Sequence, residues 1–471
     1  MKNILKGLLL AFTLILGSCQ GLVEDIDVDP NGITISDVDP QLFLTGALLG
    51  NTLAQAGHAN RIVGMWSGQL TGFAAVYGNA YGYNISTAEA NSTWRRVYIS
   101  VIPQVRHIIA NKPNDALLQG ISKVIEAHAV GTAASLCGDV PYSEVNLIDI
   151  DDPKFDGQIS VMEAASIKLD EAISNLSSAS SRAIAEDIFY RGDASKWIEA
   201  AYTLKARYAM HRKDYAGALA AAQNGISSAA NTMKYSPVGS DGTIGDKNLF
   251  FEIIAGSRAG DIGSRESYLS KLINPSASEY RGNAKTDETA RSAYYTIDDN
   301  IANNNQGIIN QFEPQQLVSY EENQLILAEA GARTSGFDAG LQRLNEFRTW
   351  LNEGGRINDN FSDLAFTYEA YDAADFDAGG IENVDGIDPL RALIREIVEE
   401  RYVSGFGQFM PFDDARRLRS SDSDVIVPFP LNTATASGHP ERFPYADDEL
   451  NANSNAPGED PGIFTKTPVN Q

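Results

Sequence analysis

Residues 193–228 read DASKWIEAAYTLKARYAMHRKDYAGALAAAQNGISS, and two helices joined by a tight corner account for the pattern. Trp197, Ala200, Ala201, Leu204 and Tyr208 recur at three- and four-residue spacing, the stripe that one helix face buries. Asp193 stands where an N-cap carboxylate accepts the free amides of a first turn. The stripe stops at residues 211–214 and restarts at Tyr215, Ala218, Leu219 and Ala222. Alanine on both stripes lets two helix axes approach closely, the logic of a tetratricopeptide-like hairpin. Residues 320–352 repeat the spacing, Ala328 and Phe337 lying nine apart as Ala206 and Tyr215 do. An ordinary helix hairpin fits each copy alone. Together the copies predict a mostly α fold in which tetratricopeptide-like helical pairs form a scaffold and long irregular loops carry the ligand site.

Composition narrows the function. The 471 residues include 62 Asp and Glu against 37 Lys and Arg, a formal net charge of −25. So acidic a surface repels phosphate backbones, which sets nucleic acid aside as a partner. It also disfavours anionic cargo such as uronic acid polymers, unless a local basic patch exists. There are two cysteines, Cys19 and Cys137, and the second lies in an Ala-rich apolar stretch that suits a buried, inert thiol.

At the amino terminus, Lys2 and Lys6 precede an apolar run over residues 8–16, too short to cross a bilayer and right for a secretory signal peptide. The run ends in Leu16-Gly17-Ser18-Cys19, which resembles the lipobox of bacterial lipoproteins. That resemblance implies lipid attachment at the Cys19 sulfur and durable anchoring by several acyl chains. Glu24 and Asp25 are similar to the acidic export tag of some surface lipoproteins. The expected organisation is a signal peptide over residues 1–18, a lipid-anchored linker over 19–40 and one α-helical domain over 41–471. Asp25, Asp27 and Asp29 alternate, but no EF-hand glycine and terminal glutamate follow, so solvated turns explain them better.

Residues 65–94 differ in texture: Trp66, Phe73, Tyr77, Tyr81, Tyr83 and Trp94 are interleaved with Gly64, Gly68, Gly72, Gly78 and Gly82. Glycine at this density breaks helix and strand periodicity, predicting a loop or broken helix that carries rings outward. Flat rings beside Gln69, Asn79 and Asn84 suit stacking on sugar faces, although core aromatics give the same pattern. Trp66, Tyr77, Tyr81 and Tyr83 are the expected ligand-binding residues. Residues 235–310, polar and aperiodic with Tyr268, Tyr280, Tyr294 and Tyr295, are a second source of ligand contacts.

Several separated motifs carry a family resemblance. They are CGDVPYSEV at 137–145, DIFYRGDASKWIEAAYTLKARYAMHR at 187–212, ILAEAGAR at 326–333 and IREIVEERYVSGFGQFMPFDDARRL at 394–418. The tail segments Val427-Pro428-Phe429-Pro430 and Arg442-Phe443-Pro444-Tyr445 follow in order. This ordered set resembles the SusD/RagB-like nutrient-binding lipoproteins of the outer membrane. The resemblance implies a cell-surface protein that captures oligosaccharide, or in some relatives peptide, and hands it to a SusC-like TonB-dependent transporter.

Catalytic signatures are missing from the sequence. His58, His107, His128, His211 and His439 are scattered, with no metal-ligand spacing, and no phosphate loop or nucleophile elbow occurs. No cofactor or metal is expected. Glu399 and Glu400 are adjacent on one predicted helix and point different ways, a poor start for a two-carboxylate glycosidase; ion pairs with Arg395 and Arg401 fit them better. A surface glycoside hydrolase stays as the alternative, needing acids brought together by folding.

Overall fold

A computed structural model describes residues 38–147, 149–239, 246–298 and 304–471. The signal peptide, Cys19 and the acidic residues that follow it lie outside the described residues. The protein is mostly helical, as its periodicity predicts. The helices that build the frame are α1 (Phe43–Ala56), α2 (His58–Trp66), α3 (Ala116–Cys137), α4 (Gln158–Ser178), α5 (Ala194–His211), α6 (Tyr215–Ala222), α7 (Tyr320–Ser335), α8 (Phe337–Asn352), α9 (Pro389–Ser404) and α10 (Met410–Arg419).

The hairpin α5–α6 forms for the reasons its residues suggest. Asp193 caps α5, its carboxylate accepting from the Ser195 amide at 3.0 Å, and Asp214 caps α6 through the Gly217 amide at 2.9 Å. Ahead of α5, Gly192 has φ +87°, and a Cβ there would lie 2.0 Å from the Arg182 carbonyl oxygen, so only glycine fits the turn. The buried Asp187 fastens that turn, accepting from the Gly192 amide and the Trp197 indole, each at 2.8 Å. The Gly-Asp turn and the tryptophan four residues later are thus one structural unit.

The two copies share a small core, as their spacing predicts. Ala206, Ala209 and Met210 of α5 meet Ala218, Ala221 and Ala222 of α6 and Ile326, Leu327 and Ala330 of α7. Small residues set the approach again at α7–α8, where a Cβ on Gly340 would come within 2.5 Å of the Ala332 Cβ. Helix α3 is buried on nearly every side, and a Cβ on Gly131 would stand 2.2 Å from the Tyr208 ring of α5.

After the glycine-rich segment the chain breaks into a 3₁₀ turn at Thr87–Ala90, a short α-helix at Asn91–Arg95, a π-helical stretch at Arg96–Val101 and an α-helix at Ile102–Asn111. Pro103 has no amide to give residue 99, so the ladder widens there. The main hydrophobic core runs from Leu44 to Ile463. Its last part comes from the C-terminal segment: Trp66 packs against Phe412 and Phe443 with ring centroids 6.1 and 5.9 Å apart, and the Phe443 amide donates to the Leu136 carbonyl at 2.8 Å. Strands are two to four residues long and pair antiparallel in twos; Thr71–Gly72 with Ile262–Gly263 ties the aromatic segment to the polar one.

Candidate functional site

The four aromatics expected to face a ligand divide. Trp66 is 1% exposed, its indole donating to the Ala80 carbonyl at 2.9 Å. Tyr77 is 2% exposed, its hydroxyl accepting from Arg61 Nε at 2.7 Å. Tyr83 is buried, its hydroxyl accepting from the Asn432 amide at 2.9 Å and its ring meeting Phe464 edge-on. Those three rings serve the core and its edge, correcting the outward reading. The glycines explain the difference, because here they make room: a Cβ on Gly68 would lie 2.9 Å from the Phe429 Cβ, and one on Gly72 2.1 Å from the Tyr77 carbonyl oxygen. Tyr81 alone keeps a partly open face. Burial and then the charge of Glu266 raise its phenol above the usual value.

Glu266 lies two residues before Tyr268, where a larger cleft opens. Three segments meet around about 530 Å³, with Tyr268, Tyr280 and Glu279 on one side, Val384, Asp385, Arg395 and Glu399 on another, and residues 425–428 closing the third. Both tyrosines are half-buried and so keep a ring surface at the cleft. Tyr268 opens a short helix capped by Ser267 and stands edge-on to Tyr402, which stacks on Phe429 at 6.0 Å. Burial, followed by Glu399 and Glu279, pushes its phenol up to about 12, so it stays a hydrogen-bond donor at neutral pH. Val384, 84% exposed, adds an apolar patch at the rim.

A buried ion cluster forms the floor. Arg281 reaches Glu288 at 3.0 Å, Glu396 at 2.7 Å, Glu399 at 2.8 Å and Glu400 at 2.7 Å. Arg291 closes the cluster on Glu288 and Glu400 at 2.5 and 2.7 Å. The ion pairing expected of Glu399 and Glu400 is therefore present with other partners. Arg395 pairs instead with Asp385 at 2.8 Å, and Arg401 with Asp414 at 2.8 Å. Of the floor's carboxylates only Glu399 reaches the cleft appreciably, its side chain 24% exposed. Glu382 also lines the cleft; burial raises it above the usual carboxyl range while Tyr371 and Asn283 each donate to it at 2.5 Å.

Such a cleft offers ring faces for stacking, phenol donors and carboxylate acceptors, the set that polyhydroxylated ligands use. Among the described residues no group of three or more His, Cys, Asp or Glu is placed to hold a metal ion. No described helix is long and apolar enough to cross a membrane.

The family motifs meet elsewhere, in the core. Arg417 grips Glu329 at 2.8 and 2.5 Å and Asp414 at 2.8 Å, while Arg401 holds Asp414 and Arg333 holds Glu329 at 2.9 Å. ILAEAGAR, EER and DDARR are thus three sides of one buried ion network.

A family profile described as SusD-like, starch-binding and associating with the outer membrane, matches residues 32–341. The chain belongs to the SusD-like family. Solved SusD-like structures share the fold. A SusD/RagB family protein from Bacteroides thetaiotaomicron superposes with TM-score 0.66 at 20% identity, covering 89% of this chain and 95% of that one. A chitin-binding SusD homolog from Flavobacterium johnsoniae gives 0.65 at 15% identity over 92% and 97%. A SusD homolog from Bacteroides ovatus gives 0.63 at 17% over 88% and 94%. No curated protein matches the chain. Tyr268 and Tyr280 stood in the polar stretch whose lack of periodicity marked it for ligand contact; Glu399 and residues 425–428 carried no such signal.

Proposed function

We propose that this SusD-like protein is a cell-surface lipoprotein, anchored through Cys19 to the outer membrane, that captures nutrient oligosaccharide and delivers it to a SusC-like TonB-dependent transporter. The observation that carries the reading is the cleft with two half-buried tyrosines, Tyr268 and Tyr280, beside Glu399 and Glu279. Chitin binding by the Flavobacterium relative supports the choice of glycan. The continuous core from Leu44 to Ile463 supports reading residues 41–471 as one domain. The protein binds without catalysis.

The test is calorimetry of the chain beginning after Cys19 against a panel of neutral glycans and peptides, with mass analysis of the ligand afterwards. Saturable glycan binding, weakened roughly tenfold by Tyr268→Ala or Tyr280→Ala, is the expected result. Binding of peptides alone would move the cargo. Cleaved glycan would overturn the reading and turn attention to Glu382 and Glu399.

A further inference from the structure

A second cleft, about 440 Å³ and sharing no lining residue with the first, opens between α2, residues 88–96 and residues 249–253. Arg61 stands in its wall. The side chain belongs to a residue only 5% exposed, and Nε is used by the Tyr77 hydroxyl. Tyr77 and Phe250 flank the guanidinium, which lies 5.9 and 6.0 Å from their ring centroids. Nε is the one guanidinium nitrogen with a hydrogen-bond partner among the described residues, and the residue lines the cleft. In a chain carrying net charge −25, a guanidinium at a cleft with no ion pair among the described residues is a natural partner for an anionic ligand.

The surroundings define that ligand. Arg96, exposed and without an acceptor among the described residues, adds a second cation at the rim. Glu89 pairs with His58 at 2.6 Å and Glu252 lies 3.9 Å from Lys247, and neither is ion-paired with Arg61. Leu53, Leu249 and Ile253 supply an apolar wall, while Ser92, Glu89 and Glu252 offer hydroxyl-binding groups. A fork of paired N–H donors matches a planar carboxylate. An acidic peptide brings carboxylates with few hydroxyl donors; each uronic acid ring brings one carboxylate together with several hydroxyl donors that Glu89 and Glu252 accept.

We infer that this cleft binds the carboxylate of a uronic acid residue, with Arg61 as its bidentate partner and Arg96 as auxiliary cation. The inference rests on the glycan-capture reading only for the class of ligand. Arg61 and Arg96 supply the local cations that an acidic surface needs before it admits anionic cargo.

Calorimetry of the full chain in detergent, with trigalacturonate, neutral galactotriose and triglutamate as probes, tests it. Trigalacturonate should bind, more weakly as salt is raised, and galactotriose should not bind at this cleft. Arg61→Lys, which keeps the charge and loses the fork, should weaken trigalacturonate roughly 10- to 100-fold. Arg96→Ala, at an exposed position, should weaken it several-fold without touching the core. Tyr268→Ala and Tyr280→Ala should leave it unchanged, which separates failure here from failure of the neutral-glycan cleft. Absence of trigalacturonate binding, indifference to both arginine variants, loss in the tyrosine variants, or tighter binding of triglutamate would each overturn the assignment.

Discussion

Replacing Arg281 by methionine tests whether the charges under the main cleft act as one buried unit. The guanidinium makes four contacts of 2.7–3.0 Å, to Glu288, Glu396, Glu399 and Glu400, and its side chain is almost fully enclosed. Without it, Glu288 and Glu400 keep Arg291, but Glu396 is left with Arg348 at 3.8 Å. Burial already holds the Glu396 carboxyl well above its usual range, so losing the nearest cation favours its neutral form further. Breaking a buried pair from one side costs about 3–5 kcal/mol, because the remaining charge stays desolvated. Glu399→Gln removes one contact from a partly exposed group and should cost about 1 kcal/mol. Urea unfolding followed by circular dichroism compares the two. The methionine penalty should shrink in acid: carboxyls raised in the folded state gain protons before those of the unfolded chain, so the deficit is greatest at neutral pH and falls as pH drops. A loss below about 1 kcal/mol at neutral pH, with the denaturant slope unchanged, would refute the buried-cluster argument.

Trp66→Ala should lower stability by about 3–5 kcal/mol in the same assay, whereas Tyr81→Ala should stay within about 1 kcal/mol, separating the core ring from the rim ring. Cys137, whose thiol burial raises to about 12 and which donates to the Pro444 carbonyl, should resist a thiol reagent at mildly alkaline pH and react at once in denaturant. Glu329 sits at about 2 against a usual 4.5; burial opposes ionisation, but Arg417 and Arg333 outweigh it. Its folded value is depressed, so its stabilisation of about 3 kcal/mol is complete above 4.5 and drains away as pH falls towards 2. Acid unfolding of Glu329→Gln should accordingly be flatter across that interval than that of the parent chain.

What the sequence made legible was local. Caps at Asp193 and Asp214 and the alanine stripes act within a few residues of each other, and both helical pairs formed where those signals stand. The family motifs were legible as strings, but that Glu329, Arg401, Asp414 and Arg417 meet depends on side chains reaching across segments some 70 to 90 residues apart. Trp66 was misjudged because glycine spacing looks alike whether it frees a loop or admits a ring, and the ring's partners, Phe412 and Phe443, lie over 340 residues downstream. The cleft joins residues 268–281, 381–399 and 425–428, each unremarkable alone. Tyr268 and Tyr280 could be named as candidates, while Glu399 became one only when Arg281 was seen to hold it there.

The contacts of Trp66 with Phe443, of the Phe443 amide with Leu136 and of Arg442 with the Cys137 carbonyl set an order in time. A chain that emerges N-terminus first exposes the apolar faces of α1, α2 and α3 long before the segment that covers them exists. Contacts of such sequence separation are slow to close. The early helices are therefore exposed to aggregation and in need of shelter until nearly the whole polypeptide has emerged, and a product cut short before residue 443 would retain that bare surface.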